Sequence, residues 1–187
     1  MPTDAEAQLP PVFSRSVPLD PDGGAVEGLL ALEEQDRERV AAFLKIESLE
    51  SLALEYRLAP AARKRFSLAG TLRAELTQLC GVTLDPVAES IDEAVDLECW
   101  PEAQIATMAD EDDDVHIKEL PEDPPVPIAD GAVDLGALAV ELLASAINPY
   151  PRKSDVEFDW QDAKTKTADG TNNLSPFASL SKLKPKA

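Results

Sequence analysis

Leu52-Ala53-Leu54-Glu55-Tyr56-Arg57-Leu58 decides the fold. Leucine or tyrosine stands at every second position, with alanine or a charged residue between. That is the period of a strand with one face buried. Pro60-Ala61-Ala62 breaks the run. A second alternation follows at once: Phe66, Leu68, Gly70, Leu72, Ala74 and Leu76 against Ser67, Ala69, Thr71, Arg73, Glu75 and Thr77. It predicts a second strand that extends toward Cys80. A third places Val87, Ile91, Val95 and Leu97 against Ala88, Asp92, Asp96 and Glu98. Glu89 and Glu93 interrupt its apolar face, which predicts irregularity or early twist. Three alternating segments joined by short connections read as an antiparallel meander.

Outward from the meander, Val12, Phe13 and Val17 suggest one more strand, ended by Pro18. Gln35 to Leu44 carries Val40, Phe43 and Leu44 at helical spacing. The stronger helix runs from Asp134 to Ile147. Its apolar stripe is Leu135, Leu138, Ala139, Leu142, Leu143, Ala146 and Ile147, with Asp134 as N-cap and Asn148-Pro149 as stop. The fold class is α+β: a small antiparallel sheet covered on one face by one or two helices. No repeat at solenoid periods is evident. The organisation expected is a disordered N-terminus over 1–11, a sheet-forming core over 12–101, an acidic linker over 102–130, a packing helix within 131–152, and a tail over 153–187.

The 187 residues carry a net charge of −19, unevenly distributed. Residues 1–100 sum to −10, 101–150 to −11 and 151–187 to +2. Asp110 to Asp114 is an unbroken acidic run, followed by Pro121, Pro124, Pro125 and Pro127. Such a segment repels itself and has little to bury, so 102–130 reads as a disordered or extended linker. The opposite feature lies between Glu55 and Glu75. There Arg57, Arg63, Lys64, Arg65 and Arg73 occur without a single acid. The extreme C-terminus adds Lys182, Lys184 and Lys186.

These features exclude several functions. No apolar run is long enough to span a membrane, and the acidic N-terminus has no signal-peptide core. A cytoplasmic protein is expected. Cys80 and Cys99 are the two cysteines. Pairing Cys80 with Val87 in a hairpin sets Cys99 opposite Leu68. The sulfurs would then stand about 40 Å apart, against about 7 Å between Cα atoms that a disulfide tolerates. Two lone thiols and the solitary His116 in its acidic stretch make no zinc or calcium pattern. No cofactor is expected. Phosphate loops, dinucleotide fingerprints and nucleophile elbows are absent, and one histidine leaves little acid–base chemistry near neutral pH. The expectation is a protein that is not an enzyme.

Three segments carry a family resemblance. The first runs from Leu72-Arg73-Ala74-Glu75-Leu76 through Cys80-Gly81-Val82-Thr83 to Pro86-Val87. The second starts at Asp130-Gly131-Ala132-Val133-Asp134-Leu135-Gly136 and closes at Asn148-Pro149-Tyr150-Pro151-Arg152. The third is Pro176-Phe177-Ala178-Ser179-Leu180, followed by Lys182-Leu183-Lys184. In order and spacing they resemble the bacterial YceD family of large ribosomal RNA subunit accumulation proteins, in its proteobacterial branch. Many members carry paired cysteines where this chain has Cys80 alone, so no metal role is carried over. The tail of the family usually reads Asn-Pro-Phe-Ala, which here becomes Asn173-Leu174-Ser175-Pro176-Phe177-Ala178. The resemblance implies a part in synthesis, processing or accumulation of 23S ribosomal RNA, and so in ribosome biogenesis.

The residues suggest two routes to that role. Arg57, Arg63, Lys64, Arg65 and Arg73 could present positive charge on one sheet surface and contact ribosomal RNA phosphates in a large-subunit assembly intermediate. Alternatively the acidic tract acts as an adaptor or chaperone for a basic ribosomal protein, with an indirect effect on RNA. Phe177, Leu180 and Leu183, spaced by three within 176–184, form a candidate docking segment for a partner or for the chain's own sheet.

Overall fold

The computed structural model describes residues 11–110, 123–154 and 156. In chain order the elements are β1 (Ser16–Pro18), β2 (Val26–Ala31), α1 (Glu34–Leu44), β3 (Ser48–Pro60), β4 (Phe66–Leu79) and β5 (Pro86–Pro101). They continue with α2 (Glu102–Asp110), β6 (Val126–Ile128), β7 (Ala132–Asp134) and α3 (Leu135–Ala146). Five strands form one sheet in the order β2-β3-β4-β5-β6, and β1 pairs with β7 in a separate ribbon. β3, β4 and β5 are the meander read from the sequence, antiparallel throughout. β6 joins β5 in parallel, which makes the sheet mixed.

Alternation sends Leu52, Leu54 and Leu58 of β3, Leu68, Leu72 and Leu76 of β4, and Ile91, Val95 and Cys99 of β5 to one buried face. Against them pack Leu135, Leu138, Ala139 and Leu143 of α3 and Val40 and Ala41 of α1, in one continuous core. The α+β architecture with helices over one sheet face is therefore present. None of the helices is long and apolar enough to cross a membrane among the described residues.

Local chemistry explains the ends of α3. Asp134 is its N-cap and accepts from Ala137 N at 3.0 Å. The same carboxylate accepts from Arg15 N at 2.8 Å and from the Ser14 hydroxyl at 2.6 Å. The N-terminal segment is thus tied to the helix start. It passes so close that a Cβ on Gly136 would lie 2.4 Å from Arg15 N, which only glycine tolerates. At the other end, Glu89 accepts from Asn148 N at 3.1 Å and from Gln78 Nε2 at 2.6 Å. Gln78 also donates to the Asn148 carbonyl at 3.1 Å.

Several expectations need correction. The β4–β5 pairing sets Cys99 opposite Phe66, not Leu68. The turn closes through Cys80 N donating to Asp85 O at 2.8 Å, which sets Cys80 opposite Asp85 instead of Val87 and slides the partners by two positions. A two-residue slide keeps every side chain on its face. The cysteines remain far apart and both are free and buried. β5 is not irregular: its register with β4 is unbroken from Pro86 to Cys99. Glu89 sits on the inner face because Gln78 and Asn148 satisfy it, while Glu93 is exposed. Phe43 does not join the α1 core contact but is 61% exposed.

The linker reading of 102–130 fails at both ends. Glu102–Asp110 is helical, with Ala103, Ile105, Ala106 and Met108 good helix formers or apolar residues. Val126–Ile128 is an edge strand, where Pro127 costs no ladder bond to a further neighbour. β2 was not evident in the sequence reading. The acidic run 111–114, His116, and the tail residues Phe177, Leu180 and Leu183 lie outside the described residues.

Candidate functional site

The five cations of the basic island do not form one surface. Arg57 and Arg73 project from the outer face of the sheet, opposite the helices. Cross-strand register surrounds both with acids. Arg57 stands opposite Glu27 and forms an ion pair with it. Arg73 meets Asp92 Oδ2 at 3.2 Å and Glu55 Oε2 at 3.7 Å. Glu75 and Asp96 point the same way from β4 and β5. A shallow hollow of about 860 Å³ separates the two arginines, floored by Ala69, Gly70 and Thr71. The outer face therefore holds two paired cations among at least five carboxylates. The expectation of a locally positive sheet surface fails here, because cross-strand neighbours, distant in sequence, supply the acids.

Arg63, Lys64 and Arg65 have a different fate. They fill the turn between β3 and β4, at one end of the sheet. Ala61 N donates to Arg65 O at 2.7 Å and closes that turn. Arg63 and Lys64 both have left-handed backbone, at φ 61° and 60°. Left-handed residues with a Cβ cost about 1–2 kcal/mol each relative to right-handed ones. Both side chains are exposed. Two successive strained positions carry basic side chains instead of the glycine or asparagine that the backbone favours.

Arg65 anchors this tip. Its guanidinium stacks on the Trp100 ring, 3.3 Å from the centroid. Its Nε donates to Gln104 Oε1 at 2.9 Å, and Gln104 Nε2 donates to the Arg63 carbonyl at 2.9 Å. The indole N–H of Trp100 donates to Glu98 Oε2 at 2.7 Å. A hollow of about 410 Å³ lies beside the turn, with Arg63, Arg65, Phe66 and Glu98 in its wall. The tip is thus a braced turn that presents two exposed cations, with a third held flat against an aromatic ring.

Trp100 and Gln104 were missed by the sequence reading. Trp100 closes a strand, where a large aromatic residue reads as core, and it is 7% exposed on the side opposite Cys99. Gln104 lay in the segment read as linker.

The cysteines take no part in the tip. Cys99 is enclosed by apolar side chains, and burial pushes its thiol up to about 12. Cys80 lies at the far end of the hairpin. The Thr83 hydroxyl, then the backbone N–H groups of Lys153, Thr83 and Val82, hold its thiol down to about 6.

Comparison with known proteins agrees with the motifs. The family described as large ribosomal RNA subunit accumulation protein YceD matches residues 68–184, from β4 to the tail. Neither the curated proteins nor the solved structures contain a significant match. The family match runs from within β4 through α3 to the tail, more than half of the chain, and the chain belongs to the YceD family.

Proposed function

We propose that this chain acts in large-subunit ribosome biogenesis as a cytoplasmic, non-enzymatic factor that promotes 23S ribosomal RNA accumulation through direct backbone contact at the β3–β4 tip. The family match supports the process. The observation that supports the contact is the division of the basic island. Arg57 and Arg73 are neutralised by neighbouring carboxylates, while Arg63 and Lys64 stand exposed on a turn braced by Arg65, Trp100 and Gln104. Exposed cations on a fixed turn suit phosphate contact, which is electrostatic and insensitive to base identity. Trp100 is covered by Arg65, so base stacking on it is not part of the reading.

Filter binding of 23S ribosomal RNA fragments tests this. Replacing Arg63 and Lys64 by alanine should weaken binding at least tenfold, whereas replacing Arg57 and Arg73 should leave it within about twofold. Equal losses from both pairs would remove the tip from the account.

A second reading rests on the outer face. Glu27, Glu55, Glu75, Asp92 and Asp96 outnumber Arg57 and Arg73 there, which suits an acidic adaptor for a basic ribosomal protein. In that case pull-down of basic ribosomal proteins falls when Glu55 and Asp92 become neutral, and RNA binding by the pure protein is absent.

A further inference from the structure

The two edges of the five-stranded sheet differ. β6 is three residues long and contains Pro127, with Pro124 and Pro125 before it, so it offers few donors to another strand. β2 has six residues, no proline and one charged side chain, Glu27. Its hydrogen-bond phase follows from Leu32 N, which donates to Leu52 O at 3.1 Å. With Leu30 opposite Leu54, Gly28 opposite Tyr56 and Val26 opposite Leu58, the even-numbered residues bond to β3. The N–H and C=O groups of Glu27, Leu29 and Ala31 therefore face the open edge, and among the described residues no strand pairs with them. Leu29 is 68% exposed at the centre of this edge.

We propose that β2 pairs antiparallel with β2 of a second copy of the chain, about a two-fold axis at Leu29. The phase requires outward-facing residues to oppose one another, and of the axes that satisfy it only the one at Leu29 pairs all three within β2. It sets Leu29 against Leu29 of the partner subunit, and Glu27 against Ala31 of the partner subunit. All three outward-facing residues then oppose outward-facing residues and complete ladder bonds. Each exposed leucine covers the other. No like charges stand opposite one another, and Glu27 keeps its ion pair with Arg57. An axis at Glu27 would bring two carboxylates together, and an axis at Ala31 would leave Leu29 uncovered.

Charge and size set the character of this dimer. Each chain carries −19, so the copies repel at long range and their association strengthens as salt screens the field. RNA contact at the tip has the opposite salt dependence. A six-residue strand pair buries less than the roughly 1,200 Å² of a standard stable interface, so the dimer is concentration-dependent. The tip lies beyond the Val26 end of β2, where β3 turns into β4. Antiparallel pairing sends the two tips in opposite directions, toward separate stretches of RNA.

Sedimentation velocity on the full chain tests the pairing, across a concentration series at low and at high salt. The expected result is a monomer at low salt and a species of doubled mass that grows with protein concentration at high salt. Leu29→Pro removes one outward N–H and no bond to β3, and should abolish the doubled mass. Leu29→Lys leaves the backbone intact and places two ammonium groups at the axis, with the same expected result and a circular dichroism spectrum unchanged from wild type. A monomer under every condition, or a doubled mass that Leu29→Lys leaves intact, overturns the proposal. RNA binding by the tip is measured separately and does not depend on this outcome.

Discussion

The Arg65 guanidinium lies flat over the Trp100 ring, 3.3 Å from its centre. The stack fastens the turn between β3 and β4 to the end of β5, and Gln104 of α2 fastens it a second time. A turn with two successive left-handed basic residues is held in one shape from two sides.

Removal of the stack should loosen the tip without unfolding the sheet. Arg65→Met keeps the aliphatic stem and loses the cation, at a cost of about 0.5–1 kcal/mol. With Trp160 replaced by phenylalanine, emission reports Trp100 alone. The expected outcome is a red-shifted spectrum and stronger acrylamide quenching, with the core melting transition retained. Unchanged quenching would show that other contacts cover the ring.

Asp134 joins three parts of the chain, and its stability contribution carries a pH signature. Burial opposes its ionisation. The Ser14 hydroxyl and the N–H groups of Ala137, Arg15 and Gly136 outweigh burial and hold the carboxyl below its ordinary range. A carboxyl depressed in the folded state stabilises fully above its unfolded value, near pH 3.9, and loses that contribution as pH falls through the folded value. Asp134→Ala should cost about 1–2 kcal/mol near neutral pH. In urea titrations the gap between wild type and variant should narrow only below about pH 4. A gap independent of pH would assign the loss to packing.

Gln78 and Glu89 hold the exit of α3 on the sheet. Gln78→Leu should cost about 1–3 kcal/mol, because Glu89 keeps its half-buried position with one donor fewer. Hydrogen exchange should quicken in the last turn of α3 and at Asn148, and remain slow in β4. Uniformly faster exchange would mean that the contact supports the whole domain.

How far these features could be read from sequence depends on their range. The meander was legible because Leu52–Leu58 and Phe66–Leu76 keep a strict period of two over a face that is buried throughout. Asp134 as a helix cap was equally local. The bulge between Leu49 and Ser51 was not, since one extra residue in β3 turns Leu49 inward and breaks the alternation that marks a strand. β2 escaped because the open edge exposes Leu29 beside the buried Leu30, so its apolar pattern does not alternate. α2 was hidden by the acidic run that follows it. The site suffered most. Whether a cation is free depends on the acid across the ladder, and Glu27, thirty residues from Arg57, becomes its neighbour only once β2 and β3 pair.

The most direct test of the central claim is the salt dependence of RNA binding. For wild-type protein and a 23S ribosomal RNA fragment, the logarithm of the binding constant should fall linearly with the logarithm of salt concentration. Arg63→Ala with Lys64→Ala should reduce that slope by about 2, one unit for each lost phosphate contact, and Arg57→Ala with Arg73→Ala should leave it unchanged. A slope unaffected by the tip pair, or binding that no basic substitution alters, would contradict the account.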